Sequence, residues 1–161
     1  EVKITSRLRN SKDRLESIKP FLPQSGVCDV GCGEGSFLAV LRSEGYKECW
    51  GIEPSVYACE LALKQQLDVE QGYISELSKV RGQRKVEALT LFHVIEHLSD
   101  PMETLLSAKH VLNRGGVLVL ETPDADAAIQ KVTHHQNELV YLTTPLCLLM
   151  AVCLVPAWLR C

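Results

Sequence analysis

The sequence predicts an α/β fold, a Rossmann-like doubly wound sheet that is mostly parallel and carries helices on both faces. Short apolar runs at residues 27–30, 49–52, 86–92 and 117–120 alternate with stretches of helical periodicity, the pattern of β-α-β units. The apolar runs are nearly continuous rather than alternating, as strands buried on both faces require. A glycine cluster follows the first run and opens a helix, the usual punctuation between a first strand and its crossover.

Each element has a local cause. Within residues 1–23, six basic and three acidic side chains surround Ile4, Leu8, Leu15 and Ile18 at helical spacing before Pro20 and Pro23 end the pattern, which predicts an amphipathic N-terminal helix. Phe37, Leu38, Val40 and Leu41 give a second helix ending at Gly45. Residues 54–66 and 102–112 supply two more, and residues 68–70 a short extra strand. Five strands are expected before residue 122. Gly115 and Gly116 mark a turn into the last of them.

A chain of 161 residues and 17.9 kDa suits one domain with its own core. Hydrophobic residues make up 46% and charged residues 23%, which excludes disordered, collagenous and coiled-coil classes. Net charge is −3, so no nucleic-acid partner is expected from the overall field. The seven cysteines are an odd number without C-x-x-C spacing, which argues for free thiols in a reducing, cytoplasmic setting and against a metal site.

The glycine turn carries the first functional signal. It reads Asp29-Val30-Gly31-Cys32-Gly33-Glu34-Gly35-Ser36. Glycines after a first strand let a ligand lie against the main chain at a helix N-terminus. The spacing fits neither the dinucleotide fingerprint, whose third glycine would fall at Ser36, nor a Walker loop, which needs a following Lys. Glu53 closes the second strand 22 residues after Gly31, where an acid commonly accepts hydrogen bonds from ribose hydroxyls. With Asp29 and Glu34 nearby, a nucleoside bearing a positive centre suits the turn better than a diphosphate. Glu53 also fits a structural role beside a helix start, and Asp29 one of binding loop amides.

Residues 27–35 resemble the first motif of the class I S-adenosylmethionine-dependent methyltransferases, and Gly51-Ile52-Glu53-Pro54 is similar to their second. Residues 91–101 (Leu-Phe-His-Val-Ile-Glu-His-Leu-Ser-Asp-Pro) and 112–123 (Leu-Asn-Arg-Gly-Gly-Val-Leu-Val-Leu-Glu-Thr-Pro) resemble the motifs after the fourth strand and through the fifth. The small-molecule and ubiquinone-type branch is the nearest in pattern. The resemblance implies S-adenosyl-L-methionine as cofactor, with Gly31, Gly33 and Gly35 admitting it, Asp29 near its methionine part and Glu53 on its ribose. By position it puts Tyr73 and Ile74 beside adenine and Phe92 and His93 beneath the sulfonium.

His93, Glu96 and His97 also spell H-x-x-E-H, a zinc-peptidase pattern. That motif needs a long helix; here it follows a strand directly and meets Ser99-Asp100-Pro101. No metal is therefore expected. If the acceptor is a phenol or alcohol, His93 or His97 is the expected general base, ahead of His134 and His135. The acceptor is expected to be a small or lipid-like molecule methylated at O, N or C. The alternatives are a non-catalytic or truncated S-adenosylmethionine-binding module and an NAD-dependent oxidoreductase.

The expected organisation is an N-terminal helix over residues 1–23, an α/β binding domain over 24–138 and an atypical apolar segment over 139–161. Residues 139–159 contain no charged side chain, which makes the segment a membrane candidate, although Pro145 and Pro156 interrupt it. Residues 142–145 resemble the family's loop into its next helix, and the resemblance implies that residues 146–154 are that helix, without its usual polar face. On this reading the last strands of the family fold are missing, and the fifth strand presents an edge open to self-association.

Overall fold

A computed structural model describes residues 2–76, 85–123, 139–144 and 148–154. The chain runs α1 (Val2–Ile18), β1 (Val27–Val30), α2 (Ser36–Ser43), β2 (Trp50–Glu53), α3 (Val56–Lys64), β3 (Val69–Gln71), β4 (Val86–Phe92), α4 (Pro101–Val111), β5 (Leu112–Pro123), β6 (Leu139–Thr144) and β7 (Leu148–Leu154). The strands form one sheet in the order β3-β2-β1-β4-β5-β7-β6. The first five are parallel, and β7 pairs antiparallel with both β5 and β6. This is the expected doubly wound architecture.

Strand alternation divides the core between two faces. Val27, Ala88, Val117 and Val119 point to one side, where they meet Leu15 and Ile18 of α1, Phe37, Leu38 and Leu41 of α2, and Cys59 and Ala62 of α3. Cys28, Val30, Leu89, Leu91 and Leu118 point to the other, against Ala108 and Val111 of α4. The period of two along each strand places each neighbour on the opposite face. Helix α1 thus belongs to the core layer, since Leu15 and Ile18 are fully buried.

Helix starts follow the sequence signals. Asp100 caps α4 by accepting the Glu103 amide at 2.9 Å, with Pro101 at the first helical position. Ser55 caps α3 through the Ala58 amide at 3.3 Å. The Gly115-Gly116 turn is absorbed into β5 as an irregularity: the register runs from Val86↔Leu112 to Ala88↔Val117, and Gly115 takes a φ of 80°.

The C-terminal strands correct the expectation that they are missing. Residues 148–154 are a strand, not a helix, and β7 covers the edge of β5 from Val117↔Leu154 to Pro123↔Leu148. The described edge strands are β3 and β6, so β5 offers no edge for self-association. The physical reason is that a short apolar run reads equally well as buried helix or buried strand. β7 is paired on both sides, and an interior strand needs no charged residue. Among the described residues, no helix is long and apolar enough to cross a membrane. His134 and His135 lie outside the described residues.

Cys28, Cys32, Cys49 and Cys59 form no disulfide, and among the described residues no cluster of His, Cys, Asp and Glu could hold a metal ion.

Candidate active site

The carboxyl ends of β1, β2 and β4 converge beside the order reversal in the sheet, where open α/β sheets bind ligands. A cleft of about 540 Å³ lies there, lined by Arg7, Asn10, Ser11 and Arg14 of α1, by Asp29 and the glycine turn, and by Phe37, Ala58, Phe92 and His93. Its volume falls in the range of small-molecule pockets. A second hollow of about 570 Å³, near Ser25, Trp50 and Val86, lies at the opposite, amino ends of the strands.

Three glycines shape the turn. Gly31, Gly33 and Gly35 have φ of 67°, 56° and 80°, the left-handed region that side chains rarely adopt. A Cβ on Gly31 would stand 2.6 Å from Val94 Cγ2, and one on Gly35 would collide with Leu67. A Cβ on Gly33 would meet nothing within 4 Å. Gly31 and Gly35 are therefore glycines for packing, whereas Gly33 leaves open space over the main chain.

Glu53 ties the turn to β2. Its Oε2 accepts the Gly33 amide at 2.8 Å and its Oε1 the Ser55 amide at 2.9 Å. Each oxygen keeps a second lone pair for a further donor, so the structural and ligand-binding readings of Glu53 coexist. Asp29 stands opposite Thr90 in the β1–β4 register, and its Oδ1 accepts the Thr90 hydroxyl at 2.6 Å. Burial pushes the Asp29 carboxyl up to about 7, with Glu53 adding to the rise and the Thr90 bond and Arg14 opposing it.

The far wall is a charged network that the sequence reading did not single out. Arg14 donates Nε to Glu121 Oε1 at 2.8 Å and to Oε2 at 2.9 Å, and its Nη2 also pairs with Glu121. Glu121 is 1% exposed. The Arg14 guanidinium lies 4.9 Å from the Phe92 ring centroid, and Phe92 packs edge-on against Phe37 at 4.8 Å.

His93 completes this wall. Its Nε2 sits 3.0 Å from Glu121 Oε1 and its Nδ1 3.3 Å from Glu96 Oε1. Its own φ is 56°, and its amide donates to the Glu121 carbonyl at 2.8 Å. A positive φ at a non-glycine residue is uncommon and clusters at functional sites.

Of the residues expected from the sequence, Asp29, Gly31, Gly33, Phe92 and His93 line the cleft, while Glu53 holds Gly33 from behind. Gly35 starts α2 at the cleft margin. His97 is exposed on the turn after β4 and does not line the cleft. Tyr73 is 64% exposed beside β3, and Ile74 is buried in the α4-side core; neither lines the cleft. The residues missed are Arg7, Asn10, Ser11, Arg14, Thr90 and Glu121. The first four fall at i, i+3, i+4 and i+7, a polar stripe on one helix face that the spacing alone could have revealed.

A family model described as "Methyltransferase domain" matches residues 5–147. The chain is similar to the tRNA U34 carboxymethyltransferases of Campylobacter hominis (31% identity over 115 residues, 68% of this chain and 40% of the relative) and Pseudomonas aeruginosa (33% over 116 residues, 68% and 36%). It thus spans well under half the length of these relatives. Among solved structures it resembles a SAM-dependent methyltransferase from Thermotoga maritima (25% identity, TM-score 0.60, 73% of this chain and 54% of that one). The magnesium protoporphyrin IX methyltransferase of Synechocystis PCC 6803, solved with bound SAM, shares the fold at 16% identity and TM-score 0.68, with 91% of this chain and 78% of that one covered. With the family match running over most of its length, the chain belongs to the class I S-adenosylmethionine-dependent methyltransferases.

Proposed function

We propose that the cleft binds S-adenosyl-L-methionine and that the chain carries out methyl transfer to O, N or C of a small or lipid-like acceptor. The observation that carries this reading is the Glu53–Gly33 bond: a carboxylate at the end of β2 holds the one turn glycine whose surroundings are open. The donor set fits the group. Gly33 leaves room for a ligand against the main chain, Glu53 has acceptor capacity left for ribose hydroxyls, and the buried Asp29 carboxylate is suited to a cationic centre.

When bound, the cofactor supplies a carbon already activated for displacement by its sulfonium. The chain's part is alignment and exclusion of water. Phe92 and Phe37 form an apolar wall, while Asp29 and Glu53 fix orientation. His93 stands at the same wall, held between Glu121 and Glu96. That arrangement supports a role in orienting the reacting groups, with proton acceptance open to it when the Glu96 contact is exchanged for an acceptor hydroxyl. We assign Tyr73, which follows Gly72 beyond β3, to the adenine side on its place in the motif order.

A second reading is a nucleic-acid acceptor, favoured by relatives whose names carry a tRNA substrate. The net charge of −3 favours the small acceptor.

Calorimetry with S-adenosylhomocysteine and with NAD tests the cofactor, and binding of NAD alone refutes the reading. Turnover with phenolic, quinol and amine acceptors against a tRNA pool then separates the acceptors. Methylation of tRNA and of none of the small molecules overturns the small-acceptor assignment.

A further inference from the structure

Helix α1 lays two turns of polar side chains along the cleft, and both ends of that stripe are anchored. Arg7 pairs with Glu34 of the glycine turn at 2.7 Å, and Arg14, seven residues on, forks onto Glu121 at the end of β5. Between them Asn10 and Ser11 face the cleft. A surface helix normally turns such a stripe to water; this one turns it to the ligand crevice.

The consequence falls on His93. Phe92 and Glu121 are register partners in β4 and β5, so the chain leaves β4 beside the Glu121 carbonyl, which accepts the His93 amide. The Glu121 carboxylate then meets the imidazole at Nε2. One residue therefore holds both the main chain and the ring of His93, including its unfavourable positive φ. Glu121 in turn is fixed by Arg14, whose planar fork allows one carboxylate orientation where a flexible ammonium would allow many.

We propose that Arg14 and Glu121 are positioning residues for the methyl-transfer site: an ion pair through which the N-terminal helix sets the orientation of the His93 imidazole. The proposal rests on the reading that the cleft is a methyl-transfer site. It makes α1 a working part of that site and not only a cover for the sheet.

The test uses the full chain with ¹⁵N-labelled histidine, comparing wild type with Glu121→Gln, Arg14→Gln and Arg14→Lys. The His93 signals are assigned by their loss in His93→Gln. Ring-nitrogen shifts report which nitrogen carries hydrogen and what it faces, a readout that requires no acceptor. The His93 signals are expected to move in Glu121→Gln and Arg14→Gln while those of His97 and His110 stay, with Arg14→Lys lying between wild type and Arg14→Gln. With an accepted substrate, kcat falls about tenfold or more in Glu121→Gln, as small misplacements in aligned sites do, while affinity for S-adenosylhomocysteine changes by less than about threefold.

Unmoved His93 signals in both glutamine variants overturn the proposal. So does a common movement of every histidine, or loss of the fold in both, because each assigns the pair to structure alone. Failure of the wild type to bind S-adenosylhomocysteine refutes the methyltransferase reading instead, whatever the histidine signals do.

Discussion

Glu53 Oε2, at the end of β2, accepts the amide of Gly33 in the turn after β1 at 2.8 Å. One carboxylate thereby organises the loop it shares with a ligand. Hydrogen bonds to a charged group are worth about 1.5–3 kcal/mol, so Glu53→Ala is expected to weaken S-adenosylhomocysteine binding by about ten- to a hundredfold. Glu53→Gln, which keeps an acceptor oxygen, is expected to lose less. Titration calorimetry of the two variants checks the order; equal affinity of Glu53→Ala and wild type contradicts it.

Gly31 and Gly33 are expected to fail differently when changed to alanine. Both have positive φ, and left-handed backbone costs an alanine about 1–2 kcal/mol. Gly31→Ala adds a 2.6 Å contact with Val94 and should lower the melting temperature further than Gly33→Ala, which meets no atom within 4 Å. In Gly33→Ala the methyl group instead occupies the open space, so ligand affinity drops more than stability. Thermal melts with and without S-adenosylhomocysteine separate the two losses, and the reverse order refutes this division of roles.

The raised carboxyl of Asp29 gives the protein a pH dependence with a defined sign. Its folded value of about 7 lies above the ordinary 3.8, chiefly through burial. Its contribution to stability is therefore fully present below about pH 4 and is lost as pH rises through about 7. Asp29→Asn, which still accepts from Thr90, should flatten that dependence in denaturant titrations at pH 5 and pH 8. Ligand binding runs the other way. A cationic ligand favours the ionised form, so affinity for S-adenosylmethionine should rise from pH 6 to pH 8 with release of a proton. Calorimetry in buffers of different ionisation enthalpy counts that proton, and a flat affinity contradicts the placement of the cation near Asp29.

The two histidines of the H-x-x-E-H stretch should part company. His93 lines the cleft, whereas His97 is exposed outside it. His93→Ala is expected to reduce turnover far more than cofactor affinity, and His97→Ala to leave both near wild type. Steady-state kinetics with an accepted substrate decides this; a loss of turnover in His97→Ala alone reverses the assignment.

How much of this was legible in the sequence varies with the kind of signal. Strand and helix order through β5 followed from apolar periodicity and from Gly and Pro punctuation, with boundaries shifted by one or two residues except at α1, which ends at Ile18 and not at residue 23, and at β5, which runs Leu112–Pro123 and not 117–120. Asp29, the glycines and Glu53 sit at fixed offsets from β1 and β2, so local spacing exposed them. Glu121 and Arg14 are 107 residues apart, and no local pattern joins an arginine on a basic helix to a lone acid ending an apolar strand. Thr90 was hidden likewise, because its link to Asp29 exists only through the β1–β4 register. Residues 148–154 were misread because seven apolar residues fit helix and strand alike, and only the neighbours on either side decide.

Those neighbours yield the last expectation. β7 pairs with β5 over seven residues, from Val117 to Pro123. A chain ending near Glu138 keeps the glycine turn, Asp29, Glu53 and the His93 wall but uncovers the β5 edge, whose run Val117-Leu118-Val119-Leu120 is apolar. Open apolar edges template association with other chains. The shortened chain is therefore expected to self-associate, and to lose stability at β5, where Glu121 is anchored. Sedimentation velocity of the full and shortened chains, with and without membrane vesicles, separates this from the membrane reading of residues 139–159. Recovery of the full chain with the vesicles while the shortened one stays monomeric in solution contradicts the role assigned to β7. A full chain free of vesicles beside a shortened chain that forms large species supports it.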